Sequence, residues 1–218
     1  MNLADLIEKR RFVGREFLLW LWFESELREG RFDVEGFGAC ELFLEGQITL
    51  TQEKEQCRLK GAAPSADPEA HQALRQGKMP TQARLRLTRG ELAYAFLFSA
   101  DTLALSGVKI PAEVNDETDE RFYERMYLLE DLEALLASLY GQFLGLRLCT
   151  AWETTVVPAM RAWIRGEAVD AAALRRLRVP PIGKPARPTT MAPPGMDGAG
   201  DDEREEAPAS GARAMAVA

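Results

Sequence analysis

Seven consecutive bulky apolar residues, Phe17-Leu18-Leu19-Trp20-Leu21-Trp22-Phe23, constrain this chain more than any other feature. Helix formers dominate from Leu3 to Glu29, interrupted at Gly14. Phe17, Trp20, Leu21 and Glu24 keep the i, i+3, i+4, i+7 spacing of one helix face. Leu18, Trp22 and Ser25 fill the next face, so the helix is apolar around much of its girth and needs burial on more than one side. Gly30 supplies a C-terminal stop. A spanning helix needs about 20 apolar residues. This run is far shorter, with Arg15 and Glu16 before it and Glu24 and Glu26 after it. The expectation is a core spine and no membrane segment.

The segments that follow alternate. In "FGACELFLEGQITLTQ", Cys40, Leu42 and Leu44 share one face, a turn is expected near Gly46, and Ile48 and Leu50 resume the pattern. "EQCRLKG" places Cys57 and Leu59 inward and Arg58 and Lys60 outward. "TQARLRLTRGELAYAFLFSA" reads as a hairpin turning at Arg89-Gly90, with Ala83, Leu85 and Leu87 against Arg84, Arg86 and Thr88. "DTLALSGVKIP" is a further extended piece. Such alternation predicts an antiparallel sheet with one dry and one wet face. "DPEAHQALRQGK" reads as a short helix capped by Asp67, with Pro68 at its first position. A long helix is expected after Asn115 or Asp116. Its apolar stripe is Phe122, Met126, Leu129, Leu132, Leu136, Leu139, Phe143 and Leu146, and Pro158 kinks or bounds the helix that follows. The predicted class is α+β: a meander of about five to six strands covered on one face by the aromatic helix and the long helix.

Composition changes towards the C-terminus. Seven of the 12 prolines lie beyond Val179, and no aromatic follows Trp163. Such a segment buries too little apolar surface to offset its ordering entropy. The reading is one domain over residues 1–170 and a disordered Pro/Gly/acidic tail over 171–218. No signal peptide is read at the N-terminus. The three cysteines, Cys40, Cys57 and Cys149, suit reduced thiols in a cytoplasmic protein.

Catalytic signatures are sparse. The single histidine, His71, falls on an expected surface helix with no nucleophile turn beside it. Neither a P-loop nor a dinucleotide fingerprint occurs, so no cofactor is expected. Asp116, Glu117, Asp119, Glu120 and Glu124 crowd one helix start, and Glu16, Glu24 and Glu26 flank the aromatic run. Acids at a helix start serve the helix dipole, and nothing shows them converging on a metal. No catalytic or metal-ligating residue is assigned. The basic residues carry more. Arg84, Arg86 and Arg89 on one hairpin, Lys78 just upstream, and Arg58 and Lys60 on another strand form a candidate surface for a phosphate backbone. Glu53, Glu55 and Glu91 are the acids expected to balance them.

"RRFVGREFLLWLWF" (10–23), "QALRQGKMPTQARLRL" (72–87) and "SGVKIPAEVNDETDERFYERMYLLEDLEALLASLYGQFLGLRL" (106–148) resemble the C-terminal half of the RdgC-like recombination-associated proteins, in a divergent branch. The resemblance runs from about Lys9 to Arg165. It implies a non-enzymatic, cytoplasmic or nucleoid-associated protein of DNA recombination or maintenance that holds double-stranded DNA with little sequence preference. It also implies a homodimer, or a partner subunit supplying the other half. Some members carry an exonuclease label, but no catalytic motif transfers to this chain. The net charge of −7 argues against DNA encirclement by the chain alone. The second expectation is an interaction subunit without DNA binding, docking a partner or itself through its helices.

Overall fold

Internal contacts divide the chain into Met1–Gly183 and Lys184–Ala218. The computed structural model describes residues 3–111, 118–175 and 177, all in the first unit. The expected caps Asn115 and Asp116 and the expected tail beyond residue 177 lie outside the described residues.

The first helix, α1 (Leu3–Leu27), is continuous through Gly14. A Cβ at Gly14 would overlap the carbonyl oxygen of Ala100. The glycine that reads as an interruption is therefore the point where the helix backbone touches the sheet's end. Ser25 accepts from Gly30 N–H at 2.7 Å through its carbonyl, which closes the helix. Gly30 itself has φ +79° and lies against the Phe43 ring, where a side chain would collide.

Then come β1 (Arg31–Val34), β2 (Gly38–Gln52) and β3 (Glu55–Gly61). Next are α2 (Pro68–Arg75), β4 (Met79–Arg89), β5 (Leu92–Ser99) and β6 (Ala104–Lys109). The strands form one antiparallel six-stranded sheet in the order β1-β2-β4-β5-β6. β3 joins β1 along the same edge of β2. The hairpin at Arg89-Gly90 is as expected, with Arg89 opposite Leu92. The expected turn near Gly46 is not one. β2 runs through it, and its register with β4 slips between Leu44 and Ile48. Gly46, at φ +78°, lies in a bulge that gives β2 two extra residues against β4, an even number, so Ile48 and Leu50 keep the inward alternation. The Asp67 cap holds, its carboxylate accepting from Glu69 N–H at 2.9 Å.

The long helix α3 (Thr118–Arg147) leads through a π-helical turn (Trp152–Val156) into α4 (Val157–Arg165). Pro158 lies at the start of α4, where its missing N–H costs least. The folded part continues past the expected boundary at 170. α5 (Ala171–Arg175) buries Leu174, and Leu177 packs on the same core.

All seven residues Phe17–Phe23 are buried. Phe17 packs edge-on to Phe98 of β5 and Tyr140 of α3, with ring centroids 5.8 and 5.0 Å away. Trp20 meets Phe32 of β1 and Phe143 of α3. Trp22 and Phe23 meet Trp163 of α4. The sheet closes one side of α1, and the other helices close the rest. Each large apolar side chain buried this way contributes roughly 1.5–3 kcal/mol. Arg147 of α3 donates to Glu16 of α1 at 2.6 Å, and Arg15 donates to both Asp101 oxygens at 2.6 and 2.9 Å.

The α3 stripe is corrected in part. Leu132, Leu136, Leu139, Phe143 and Leu146 are buried, together with Leu128 and Leu135, but Phe122 and Met126 are exposed. Residues spaced three and four apart drift around a helix of 3.6 residues per turn. The expected stripe therefore leaves the core face in its first turns.

The Gly14 contact gives a sign test. Gly→Ala inside a helix ordinarily gains about 1 kcal/mol. Gly14→Ala is expected instead to destabilise by at least the roughly 1–3 kcal/mol typical of overpacking. Urea unfolding reads the sign, and an unchanged or higher midpoint contradicts the contact.

Candidate functional site

The helices cover one face of the sheet and leave the other open. Alternation on β4 places Ala83, Leu85 and Leu87 under the helices and Gln82, Arg84, Arg86 and Thr88 on the open face. The register then fixes their neighbours. Arg86 lies between Phe43 and Ala95, and Ala95 is opposite Lys109. Arg84 lies between the β2 bulge and Leu97. On the other side of β2, Lys60 is opposite Gln47 and Arg58 opposite Thr49.

Four of the six expected cations, Arg58, Lys60, Arg84 and Arg86, therefore share this face. Lys109 joins them. Sequence reading missed Lys109, although the alternation of β6 would have found it once its register was known. Arg86 pairs with Glu45 at 3.2 Å and lies 5.7 Å from the Phe43 ring centre. Arg58 donates to the Gln47 side-chain oxygen at 2.6 Å. Arg84 is half-buried and makes no ion pair or hydrogen bond among the described residues. It lines a shallow depression with Glu45, Gly46, Gly61 and Ala62. A Cβ on Gly46 would come within 3.2 Å of the Arg84 Cδ, so the bulge glycine makes room for the arginine stem. Over β2 to β6 these five cations meet two carboxylates, Glu41 and Glu45, although the chain carries −7 overall. Of the acids expected to balance the cations, Glu53 and Glu91 lie in the turns at the strand ends, and Glu55 pairs with Lys78.

Arg89 and Lys78 do not belong to this surface. Arg89 follows Leu85 and Leu87 in alternation, so it points to the helix side. There its Nη2 donates to both Asp131 oxygens at 2.9 and 2.8 Å, and the guanidinium lies 5.3 Å from the Phe37 ring centre. Tyr94 donates to the same carboxylate at 3.1 Å. This triad ties α3 to the hairpin end. Lys78 is only 14% exposed and pairs with Glu55 at 3.2 Å. It lies near Cys57, which faces inward opposite Leu50.

His71 is a second correction. It lies on α2 as expected, but its side chain is only 20% exposed. It packs between Trp22 and Trp163, with ring centroids 5.6 and 4.9 Å away. Glu26 accepts from Trp22 Nε1 at 2.6 Å and from Trp163 Nε1 at 2.8 Å, and His71 Nε2 lies 3.7 Å from it. One carboxylate thus gathers α1, α2 and α4, a tertiary arrangement that "PEAHQALR" alone does not encode. The other acids flanking the aromatic run are also committed. Glu16 holds Arg147, and buried Glu24 pairs with Arg28. Burial pushes the Glu24 carboxyl up and outweighs the pull of Arg28. Among the described residues no group of three or more His, Cys, Asp or Glu is placed to hold a metal ion. Cys40 and Cys57 are free thiols whose pKa burial pushes up, which suppresses the thiolate. No single helix among the described residues is long and apolar enough to cross a membrane.

Comparison of the chain with protein-family models and with curated proteins finds no match.

The Asp131 triad has a pH signature. Burial, then the hydrogen bond to Asp131, push the Tyr94 phenol up to about 12. The folded state thus holds its proton where the unfolded chain releases it. The stability this gives is complete below the ordinary value near 10 and is lost as pH rises towards 12. Tyr94→Phe is expected to flatten the fall in melting temperature over that window and to remove the highest step of the phenolate absorbance titration. Equal slopes in parent and variant would contradict the assignment.

Proposed function

We propose that this chain is a non-enzymatic, RdgC-like protein of DNA recombination or maintenance that holds the backbone of double-stranded DNA on its open sheet face. The observation that carries the reading is Arg84. Arg84, half-buried and without an ion pair or hydrogen bond among the described residues, lines a depression with Glu45, Gly46, Gly61 and Ala62, and Arg58, Lys60, Arg86 and Lys109 share its face. Such an arrangement suits a phosphate oxygen, which offers Arg the charge and geometry that the protein withholds. Contacts of these cations to phosphates position a duplex and carry no sequence information, so no sequence preference is expected. The resemblance of the aromatic helix and the "FYERMYLLE" helix to recombination-associated proteins supports the DNA assignment.

Titration of labelled duplex by fluorescence anisotropy, at low and moderate salt, tests the proposal. Binding is expected to weaken steeply with salt, and each phosphate-contacting cation adds about one unit to the log–log slope. Arg84→Ala with Lys60→Ala should lower the slope by about two units. Lys78→Ala should leave it unchanged. No binding at low salt, or a slope indifferent to Arg84 and Lys60, would overturn the reading.

A further inference from the structure

The first three turns of α3 carry an apolar face that the core does not use. Phe122 is 59% exposed, Tyr123 70%, Met126 45% and Tyr127 69%. At roughly 100° per residue they span about 140° of the helix, on the side opposite Leu128, Leu132, Leu135 and Leu139. The patch therefore points away from the core that those leucines enter, on the outer side of the helix layer. Glu130 and Glu133 fall on the same stripe, exposed and without an ion pair among the described residues. The arginines of this segment, Arg121 and Arg125, lie on the other side of the helix.

The open sheet face is the complement of this stripe. Its floor is small and apolar at Ala93, Ala95 and Leu97, with Phe43 beside them, and cations stand around that floor. A helix with aromatic and methionine anchors and acidic flanks matches such a floor in shape class and in charge. We infer that the aromatic stripe of α3 docks onto the open sheet face of a second copy of this chain. Stripe and face lie on opposite sides of the molecule. The contact is therefore heterologous and repeats head to tail instead of closing on a two-fold axis. It covers the cations of Arg84 and Arg86, so assembly and polyanion binding exclude one another. The inference needs that face to be cationic and does not need it to bind DNA.

Multi-angle light scattering of the full chain across a concentration series tests it. The parent's mass is expected to climb past that of a dimer. A stripe variant, Tyr123→Glu with Tyr127→Glu, and a face variant, Arg84→Glu with Arg86→Glu, should each be monomeric. Mixed in equal amounts, they should form a two-chain species and nothing larger, because one intact stripe meets one intact face. Met126→Lys and Lys109→Glu with Lys60→Glu are the second pair, for use if circular dichroism shows that either first variant is unfolded. A monomeric parent, self-association that survives either variant, or a mixture without the two-chain species would overturn the inference. The stripe variant keeps every open-face cation. Its duplex binding therefore reads the DNA proposal separately, and either idea can fail alone.

Discussion

A helix buried around its whole circumference dictates the rest of this structure. Phe17 to Phe23 leave no exposed side over nearly two turns of α1. A single sheet covers only one side of a helix, so α3, α4 and α2 must close the others. All of the large helices are thereby drawn to one face. The second face of the sheet is left to charged and small residues. The Gly14–Ala100 approach fixes how closely α1 lies on the sheet. Glu26, holding two indoles beside the only histidine, fixes how α2 and α4 meet it.

The open face follows from that layering together with one irregularity in β2. The 15-residue strand β2 slips by two residues against β4 at Gly46, and an even slip leaves its inward and outward faces unchanged. The Gly46 bulge takes up the slip. Leu42, Leu44, Ile48 and Leu50 stay under the helices, and Gly46 lines the depression on the other face together with Arg84. Stability on one side of the sheet and the charged surface on the other thus share one glycine.

Much of this was legible in the residues. Period-two alternation in β4 and β5 gave both faces of the hairpin and the outward placement of Arg84 and Arg86. The Asp67-Pro68 pair gave the start of α2. What was not legible depended on partners far along the chain. A glycine at positive φ serves a turn and a bulge equally well, so Gly46 read as a turn. Arg89, beside a turn, read as outward, although its alternation with Leu85 and Leu87 already places it on the helix side, where it meets Asp131, 42 residues on. His71 read as a surface residue because Trp22 and Trp163 are remote from it in sequence. On α3, apolar spacings of three and four read as one stripe although they wind from the core face to the opposite one.

The central claim is that the bare face of the sheet, and not the helix layer, is the cationic contact surface. Lysine acylation read by mass spectrometry, with and without duplex DNA, addresses it in one experiment. Lys60 and Lys109 lie on the open face, and Lys78 lies on the helix side. The account predicts that duplex suppresses acylation of Lys60 and Lys109 and leaves Lys78 as it was. Protection of Lys78 with Lys60 and Lys109 unchanged would contradict it.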